Sequence, residues 1–433
     1  MQTVELWALI PFALMLLSIA ILPLVAEHWW EDNRHKLYVA VGLAIPASIY
    51  LIVNDMGSNL QHQMLFDYIP FIMLLGALFV VTGGIHIQGD IQARPRNNAI
   101  IMGIGYMLAS FIGTTGAAML MIRPLIEINQ QRKYKMHTIL FFIALVANCG
   151  GILTPLGDPP LFLLYLRGAE FTWFFSLLPE WLFVGVTILL IYYIADRFVY
   201  YRKEPTEAII ADVHKKKHIS ISGKINILYL VGIILSVSFL NPQYIPSMGD
   251  HNTPLYIRYI REITLLTLAI LSLVTTSKKV REYNKFSWEP ITEVAVVFIG
   301  IFATMTPALI YLNANAASLG IDTPWQFYYS SGILSSFLDN SPTAVAFHTV
   351  AMGIPAAAGT TTMAGIPTIL LKAIALGSVF FGSMTYIGNG PNFMVKAIAD
   401  QSGIKMPSFF GYMARFSLII LLPVYIIAQF IFL

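Results

Sequence analysis

The hydrophobic positions of the chain fall into apolar runs of about twenty residues, separated by short polar connections. The first run, from Leu6 to Ala26, is long enough to cross the ~30 Å hydrocarbon core of a bilayer. No basic segment precedes it and no small-residue cleavage site follows it, so we interpret it as a retained membrane helix. The pattern predicts helices near 5–26, 37–53, 68–87, 179–200, 225–240, 262–276, 291–311 and 407–431, helical hairpins over 98–128 and 325–353, and broken helices over 137–166 and 367–398.

The composition also indicates a membrane protein. Hydrophobic residues make up 57% of the 433 residues and charged residues 11%, against roughly 25% charged in soluble domains. The single cysteine, Cys149, excludes an internal disulfide framework. We therefore predict an all-α polytopic protein that resides in the lipid bilayer and binds no nucleic acid.

Residues 150–162 interrupt one of the apolar runs with three prolines, three glycines and Asp158. Each proline removes a backbone donor and clashes with the preceding helical turn. An aspartate at membrane depth costs roughly 2.5 to 3.5 kcal/mol unless it faces a partner or a water-filled cavity. The stretch is typical of the unwound middle of a discontinuous helix, with Asp158 exposed in the break.

A second stretch repeats this pattern. Residues 382–393, aligned with 151–162 at an offset of 231, share the spacing G-x-x-T-x-x-G-[D/N]-x-P-x-F, and Asp158 aligns with Asn389. Residues 110–116 align with 336–342 at an offset of 226. These matches, in the same order, indicate an internal duplication of about half the chain. Interrupted apolar segments in corresponding places of two halves point to the binding site of a transporter.

The basic residues predict the orientation of each copy. Those at 94–96 and 132–135 flank the first hairpin on both sides, so the positive-inside rule places both of its ends in the cytoplasm. The second hairpin is flanked by loops without Lys or Arg, so we expect it to enter from the outside. Two re-entrant hairpins of opposite orientation make the duplication an inverted repeat.

The predicted organisation is a first repeat over 1–200, a basic cytoplasmic linker over 201–224 and a second repeat over 225–433, with both termini outside. The linker includes Lys215, Lys216 and Lys217. We interpret it as a solvated cytoplasmic loop, and binding of lipid head groups is the alternative.

The hairpin tips and the helix breaks together supply carboxylate, amide and hydroxyl oxygens, the ligands that hard cations such as sodium prefer. Asp158 and Asp339 carry the negative charge, and we predict that they bind sodium and protons in competition. No cofactor is expected, since sodium and protons are the transported or coupling ions. The candidate ion- and substrate-binding residues are Asp158, Asp339, Asn340, Asn389, Asn392, Thr154, Thr385, Thr114, Thr115 and Ser341.

The order of re-entrant hairpin, broken helix and inverted copy resembles the ion transporter superfamily. Within it, NhaD-type sodium–proton antiporters give the closest local likeness. Residues 154–158, Thr-Pro-Leu-Gly-Asp, are similar to their Ser-Pro-Ile-Gly-Asp element, and residues 338–342, Leu-Asp-Asn-Ser-Pro, are similar to their Asp-Asn-x-Pro element. The dicarboxylate branch carries a Ser-Asn-Thr triplet at each hairpin tip, which this chain lacks.

The resemblance implies that the hairpins and broken helices form the transport domain. It also implies that the helices of 1–90 and 225–311 form the scaffold and the contacts of a homodimer in the cell inner membrane. We predict a secondary active transporter that exchanges sodium for protons. The alternative is a sodium-coupled citrate or dicarboxylate transporter, for which a basic residue such as Lys396 would contact the small carboxylate.

A more distant alternative is an intramembrane aspartyl protease, because such enzymes use two membrane-embedded aspartates. Pro155 occupies the position where their motif has glycine, and no Pro-Ala-Leu segment follows. We therefore expect that the protein is not an enzyme.

Overall fold

Helices make up 77% of the computed structural model, which describes residues 4–214, 217–250, 252–356 and 359–433. Lys215 and Lys216 of the basic linker lie outside the described residues. Within the described part of the chain, seven helical segments are long and apolar enough to cross a membrane: 6–23, 33–53, 57–82, 136–153, 171–203, 289–319 and 409–432. The prediction of an all-α polytopic membrane protein is therefore confirmed.

The chain forms two compact units, and each is built from both halves of the sequence. The first unit comprises Met1–Gly76, Pro159–Glu170 and Ser287–Phe381. The second comprises Ala77–Asp158, Phe171–Phe286 and Gly382–Leu433. These units do not test the division into repeats and linker, which stays a prediction.

In the first unit, the long helix Glu289–Asn315 packs against Asn33–Val53. The π-helical turns of Gln63–Tyr68 lead into Ile69–Thr82, which continues into the second unit. A two-stranded sheet pairs Thr362–Met363 with Ile366–Pro367. The other α-helices of this unit are Ile10–Val25, Glu27–Glu31, Gly57–His62, Pro159–Leu166, Pro324–Phe337, Asn340–Met352 and Thr368–Phe381.

In the second unit, the two helices predicted near 225–240 and 262–276 are observed as Ile225–Phe239 and Ile260–Thr275 and pack on each other. The C-terminal helix runs from Phe409 to Phe432, with π-helical turns over Met413–Leu421. The other α-helices of this unit are Pro95–Ile112, Thr114–Ile128, Met136–Leu145, Leu178–Ala195, Thr206–His214, Leu255–Arg258, Lys278–Tyr283 and Gly390–Gln401.

Each predicted hairpin is a pair of helices in contact. The first hairpin, Pro95–Ile112 with Thr114–Ile128, turns at Gly113, whose φ of 82° lies in the left-handed region that favours glycine. The second hairpin, Pro324–Phe337 with Asn340–Met352, begins with a capping box and turns at residues 338–339.

Both predicted broken helices lose α-helical geometry where proline and glycine concentrate. The first break, residues 146–158, contains a short 3₁₀ segment, Cys149–Leu153, and ends at the helix Pro159–Leu166. The backbone of this break is tightly folded, since a Cβ on Gly157 would lie 1.9 Å from the carbonyl oxygen of Gly151. The second break, residues 382–389, separates Thr368–Phe381 from Gly390–Gln401.

The same contact joins hairpin and broken helix in both copies. The Ser110 hydroxyl donates to the carbonyl oxygen of Gly150, and the Ser336 hydroxyl donates to that of Phe381 at 3.2 Å. Ser336 is equivalent to Ser110 at the hairpin offset of 226, and Phe381 is equivalent to Gly150 at the break offset of 231. The two copies therefore share this contact, while the division into two inverted repeats stays a prediction.

The predicted linker contains regular structure. It includes the helix Thr206–His214 and the strand Lys217–Ser222, which pairs antiparallel with the strand His86–Asp90. Neither strand was predicted from the sequence. Two paired strands outside the spans must lie on one side of a membrane, and the cytoplasmic location of the linker stays a prediction.

Candidate ion-binding site

Asp158 lies at the end of the first break and is buried, with 1% of the residue exposed. Its Oδ1 accepts a hydrogen bond of 2.6 Å from the Thr114 hydroxyl and one of 3.1 Å from the Asn389 side-chain amide. The backbone N–H of Thr114 also donates to the carbonyl oxygen of Gly157 at 2.7 Å. The tip of the first hairpin and both breaks therefore meet at this carboxylate.

Three asparagines extend this contact into a chain of amides within the second unit. Asn389 donates to Asn148 Oδ1 at 3.3 Å, and Asn148 donates to Asn392 Oδ1 at 2.7 Å. Asn392 donates in turn to the carbonyl oxygens of Gly382 and Thr385 at 2.8 and 2.9 Å. All three asparagines are buried. Because every link joins a donor to an acceptor, the orientation of each amide depends on its neighbours.

The two break threonines have equivalent structural contacts. The Thr154 hydroxyl accepts from the N–H of Leu156 at 3.1 Å, and the Thr385 hydroxyl accepts from the N–H of Ile387 at 3.2 Å. Thr154 also donates to the carbonyl oxygen of Ser110. These bonds hold the unwound backbone, and an ion-ligand role for either threonine stays a prediction. Thr115 is half-buried in the first turn of its helix.

The remaining three candidates lie in the first unit, at the tip of the second hairpin. Asp339 is the N-cap of Asn340–Met352, and its Oδ1 accepts from the N–H of Ser341 at 2.9 Å. Asn340 and Ser341 are buried, whereas Asp339 is half-buried. Asp339 therefore caps a helix, as Asp, Asn and Ser do at helix starts. That all ten candidates share one site stays a prediction.

Asn148 was not among the candidates from the sequence, but the structure places it at the centre of the amide chain. The signal that could have identified it is a single amide two residues before Gly150, the first glycine of the break, in an otherwise apolar run. Lys396, considered as an anion contact, pairs with Asp400 on its own helix at 2.8 Å. Both side chains of that pair are partly exposed.

A buried charged network also lies in the second unit. Arg132 forms two hydrogen bonds with Asp196, of 2.8 and 2.5 Å, and its Nε donates to Glu204 at 3.2 Å. His137 Nε2 lies 2.9 Å from Asp196. Burial lowers the pKa of Arg132, but the hydrogen bonds and charge of Asp196 raise it, and the net pKa lies above its ordinary value. The guanidinium thus ties the 129–135 loop to residues 196–204 as a permanent cation.

The groups around Asp158 are of the oxygen-bearing type that hard cations prefer, and a cation there stays a prediction. These side chains offer one carboxylate, amides and a hydroxyl. Among the described residues, no three His, Cys, Asp or Glu side chains are grouped so that they could hold a metal ion together.

Multiple spans and two broken helices that meet at a buried carboxylate are an arrangement typical of integral membrane transporters. The sequence model of the family described as "Putative citrate transport" matches residues 1–433, and the protein belongs to this citrate transport family. No curated protein matches the chain. Membership of a transport family makes the protein a transporter and not an enzyme, which excludes the aspartyl protease alternative. A citrate transport family also favours a small carboxylate as substrate.

Proposed function

We propose that the protein is a secondary active transporter in which sodium and protons compete for Asp158, so that it exchanges one ion for the other. The observation that carries this proposal is the buried Asp158 carboxylate with the Thr114 hydroxyl and the Asn389 amide on one oxygen. A carboxylate of this kind can be neutralised by a proton or by a cation with oxygen ligands. Exchange requires only that the two ions exclude each other.

Asp339 is the second carboxylate of the proposal. It belongs to the other unit and holds its own N-cap hydrogen bond. We propose that it is a second carboxylate at which sodium and protons compete. A homodimer in the cell inner membrane, with both termini outside, completes the proposed arrangement.

The second candidate function is sodium-coupled transport of citrate or a related carboxylate, and the family description favours it. In that case sodium at Asp158 would accompany the carboxylate instead of being exchanged for protons. Both candidates use the same cation site and differ in what moves with the cation.

Proteoliposomes with an internal pH-sensitive dye separate the two candidates. Exchange predicts that external sodium, without any organic acid, drives protons out of vesicles loaded at acidic pH. Carboxylate transport predicts that labelled citrate accumulates only with a sodium gradient, and that sodium alone moves no protons. Vesicles with Asp158→Asn protein are the control, and transport by them at the wild-type rate would refute both candidates.

A further inference from the structure

Arg167 follows the helix Pro159–Leu166 and forms a second polar cluster, in the first unit. Its Nη2 donates to Asp67 Oδ2 at 3.1 Å and lies 3.5 Å from Gln63 Oε1. Gln63 and Asp67 belong to one π-helical segment and are buried. The Arg167 side chain keeps 17% of its surface exposed, so the cluster lies at the edge of the buried region.

His348 flanks the same cluster. Its Nε2 lies 2.9 Å from the carbonyl oxygen of Ala364, and a Cβ on Gly168 would lie 3.6 Å from the Cα of Ala364. The helix that contains His348 packs on Pro159–Leu166, and Arg167 is close enough for its charge to act on the ring. Because a carbonyl oxygen only accepts hydrogen bonds, Nε2 carries the hydrogen, and Nδ1 of the neutral ring is an acceptor.

Three atoms of this cluster lack a hydrogen-bond partner within the described part of the chain: Nε2 of Gln63, Nε of Arg167 and Nδ1 of His348. Buried polar atoms without partners cost stability, and native proteins contain few of them. Three on neighbouring side chains indicate a bound ligand that satisfies them.

The three atoms define the chemistry of that ligand. Arg167 and Gln63 offer two N–H donors, and guanidinium donors favour carboxylates. His348 offers an acceptor, which requires a donor such as a hydroxyl group. We propose that Arg167, Gln63 and His348 bind a hydroxycarboxylate, its carboxylate on the two N–H donors and its hydroxyl on Nδ1 of His348. This inference rests on the second candidate function, carboxylate transport.

The predicted topology gives the site a direction. Segments 54–67 and 353–366 contain no Lys or Arg and are predicted to lie towards the outside, and Arg167 follows a broken helix predicted to end outside. All the groups of the site thus lie at the outer face, where the carrier would take up its substrate. Arg167 is a basic residue on the side that membrane proteins keep poor in positive charge, which a ligand-binding role explains.

Calorimetric titration of the purified protein with citrate tests the site. Arg167→Lys keeps the positive charge next to Asp67 but loses the Nε–H donor, and we expect it to weaken citrate binding about tenfold or more. Arg34→Lys, the same exchange at an exposed arginine, should bind as the wild type does. Equal melting temperatures of both variants would show that the loss is not one of folding.

A matched pair at His348 tests the hydroxyl contact. His348→Gln keeps an N–H donor near Ala364 but has no acceptor at the Nδ1 position, whereas His348→Asn places an amide oxygen there. The wild type and His348→Asn should prefer citrate over tricarballylate, its analogue without the hydroxyl, by about three- to tenfold, the worth of one hydrogen bond. His348→Gln should bind both equally.

The outcomes separate this inference from the function on which it rests. If the wild type binds citrate and both Arg167→Lys and His348→Gln bind it with unchanged affinity and selectivity, the site is wrong and carboxylate transport stands. If the wild type binds neither citrate nor tricarballylate while sodium–proton exchange is measurable, the proposal of carboxylate transport is wrong, and the proposed hydroxycarboxylate site is wrong as well.

Discussion

Asn389 donates a hydrogen bond of 3.1 Å to Asp158, the residue at the equivalent position of the other copy of the duplicated segment. The offset that aligns the two breaks, 231 residues, is also the separation of this bonded pair. Equivalent residues of two copies contact each other only where the copies face each other. One copy supplies a carboxylate there and the other an amide, so the charge of the site is asymmetric although its framework is duplicated.

The first prediction concerns this pair. Asp158→Asn should abolish cation-dependent transport, because it removes the charge for which sodium and protons compete. The exchanged double variant, Asp158→Asn with Asn389→Asp, should recover part of the activity, since the carboxylate returns at a neighbouring position. Transport by the single and double variants in proteoliposomes checks both statements. Asp322→Asn, at an exposed aspartate, is the control, and an active Asp158→Asn protein would contradict the mechanism.

The second prediction separates the two roles of Asp339. Asparagine caps helices about as well as aspartate, so Asp339→Asn should melt like the wild type while losing exchange. Asp339→Ala should lose exchange and also about 1 kcal/mol of stability, because the cap on Ser341 is removed. Thermal unfolding in detergent and dye-based exchange give the two readouts. Exchange at the wild-type rate and pH profile in Asp339→Asn would show that this carboxylate carries no ion.

The third prediction concerns the amide chain. Asn148→Leu leaves Asn392 Oδ1 without its donor and removes one of the three acceptors of the Asn389 amide, which should cost about 1–3 kcal/mol of stability. It should also weaken the stabilisation by sodium, because Asn389 loses one of the hydrogen bonds that orient its amide beside Asp158. Asn241→Leu, at a buried asparagine with its own local hydrogen bonds, should be destabilised without losing the sodium effect. Melting curves in sodium chloride and choline chloride distinguish these results.

The fourth prediction concerns the Arg132 network. Arg132→Leu leaves the buried Asp196 and Glu204 without their guanidinium, and removal of one partner of a buried ion pair costs about 3–5 kcal/mol. Arg202→Leu, at an exposed arginine, should change stability by about 0.5 kcal/mol or less. Denaturant unfolding in detergent measures the difference, and equal stability of the two variants would show that the network does not hold these segments.

The fifth prediction concerns topology. In a Cys149→Ser background, a cysteine in place of Lys203 should be shielded from an impermeant thiol reagent in intact cells, and one in place of Thr360 should react. Both positions are exposed in the structure, and Cys149 is buried. Labelling at Lys203 from the outside would overturn the predicted orientation.

The broken helices could be predicted because proline and glycine act on the backbone of their own segment. The amide chain could not, because Asn389 and Asn392 meet Asn148 across 241 and 244 residues of sequence, and nothing local distinguishes such an asparagine from one that packs. The duplication pointed to the right segments without specifying which side chains meet.

The strand Lys217–Ser222 alternates polar residues with Ile219 and Ile221, which is a strand signal. It was overlooked because the surrounding lysines suggested a solvated loop. Arg167 was overlooked for the opposite reason: it is a single basic residue between two apolar segments. Only the contacts with Gln63 and Asp67, about a hundred residues away in sequence, reveal its surroundings.

The chain of amides between Asp158 and the carbonyls of Gly382 and Thr385 has one direction, from donor to acceptor at every link. A cation on Asp158 that attracts the oxygen of Asn389 would rotate that amide and withdraw its hydrogen from Asn148. Asn148 Oδ1 would then lose a donor, at the centre of the row that leads to the carbonyl oxygens of Gly382 and Thr385. Arrival of an ion in one break would in this way disturb hydrogen bonds that reach the backbone of the other break.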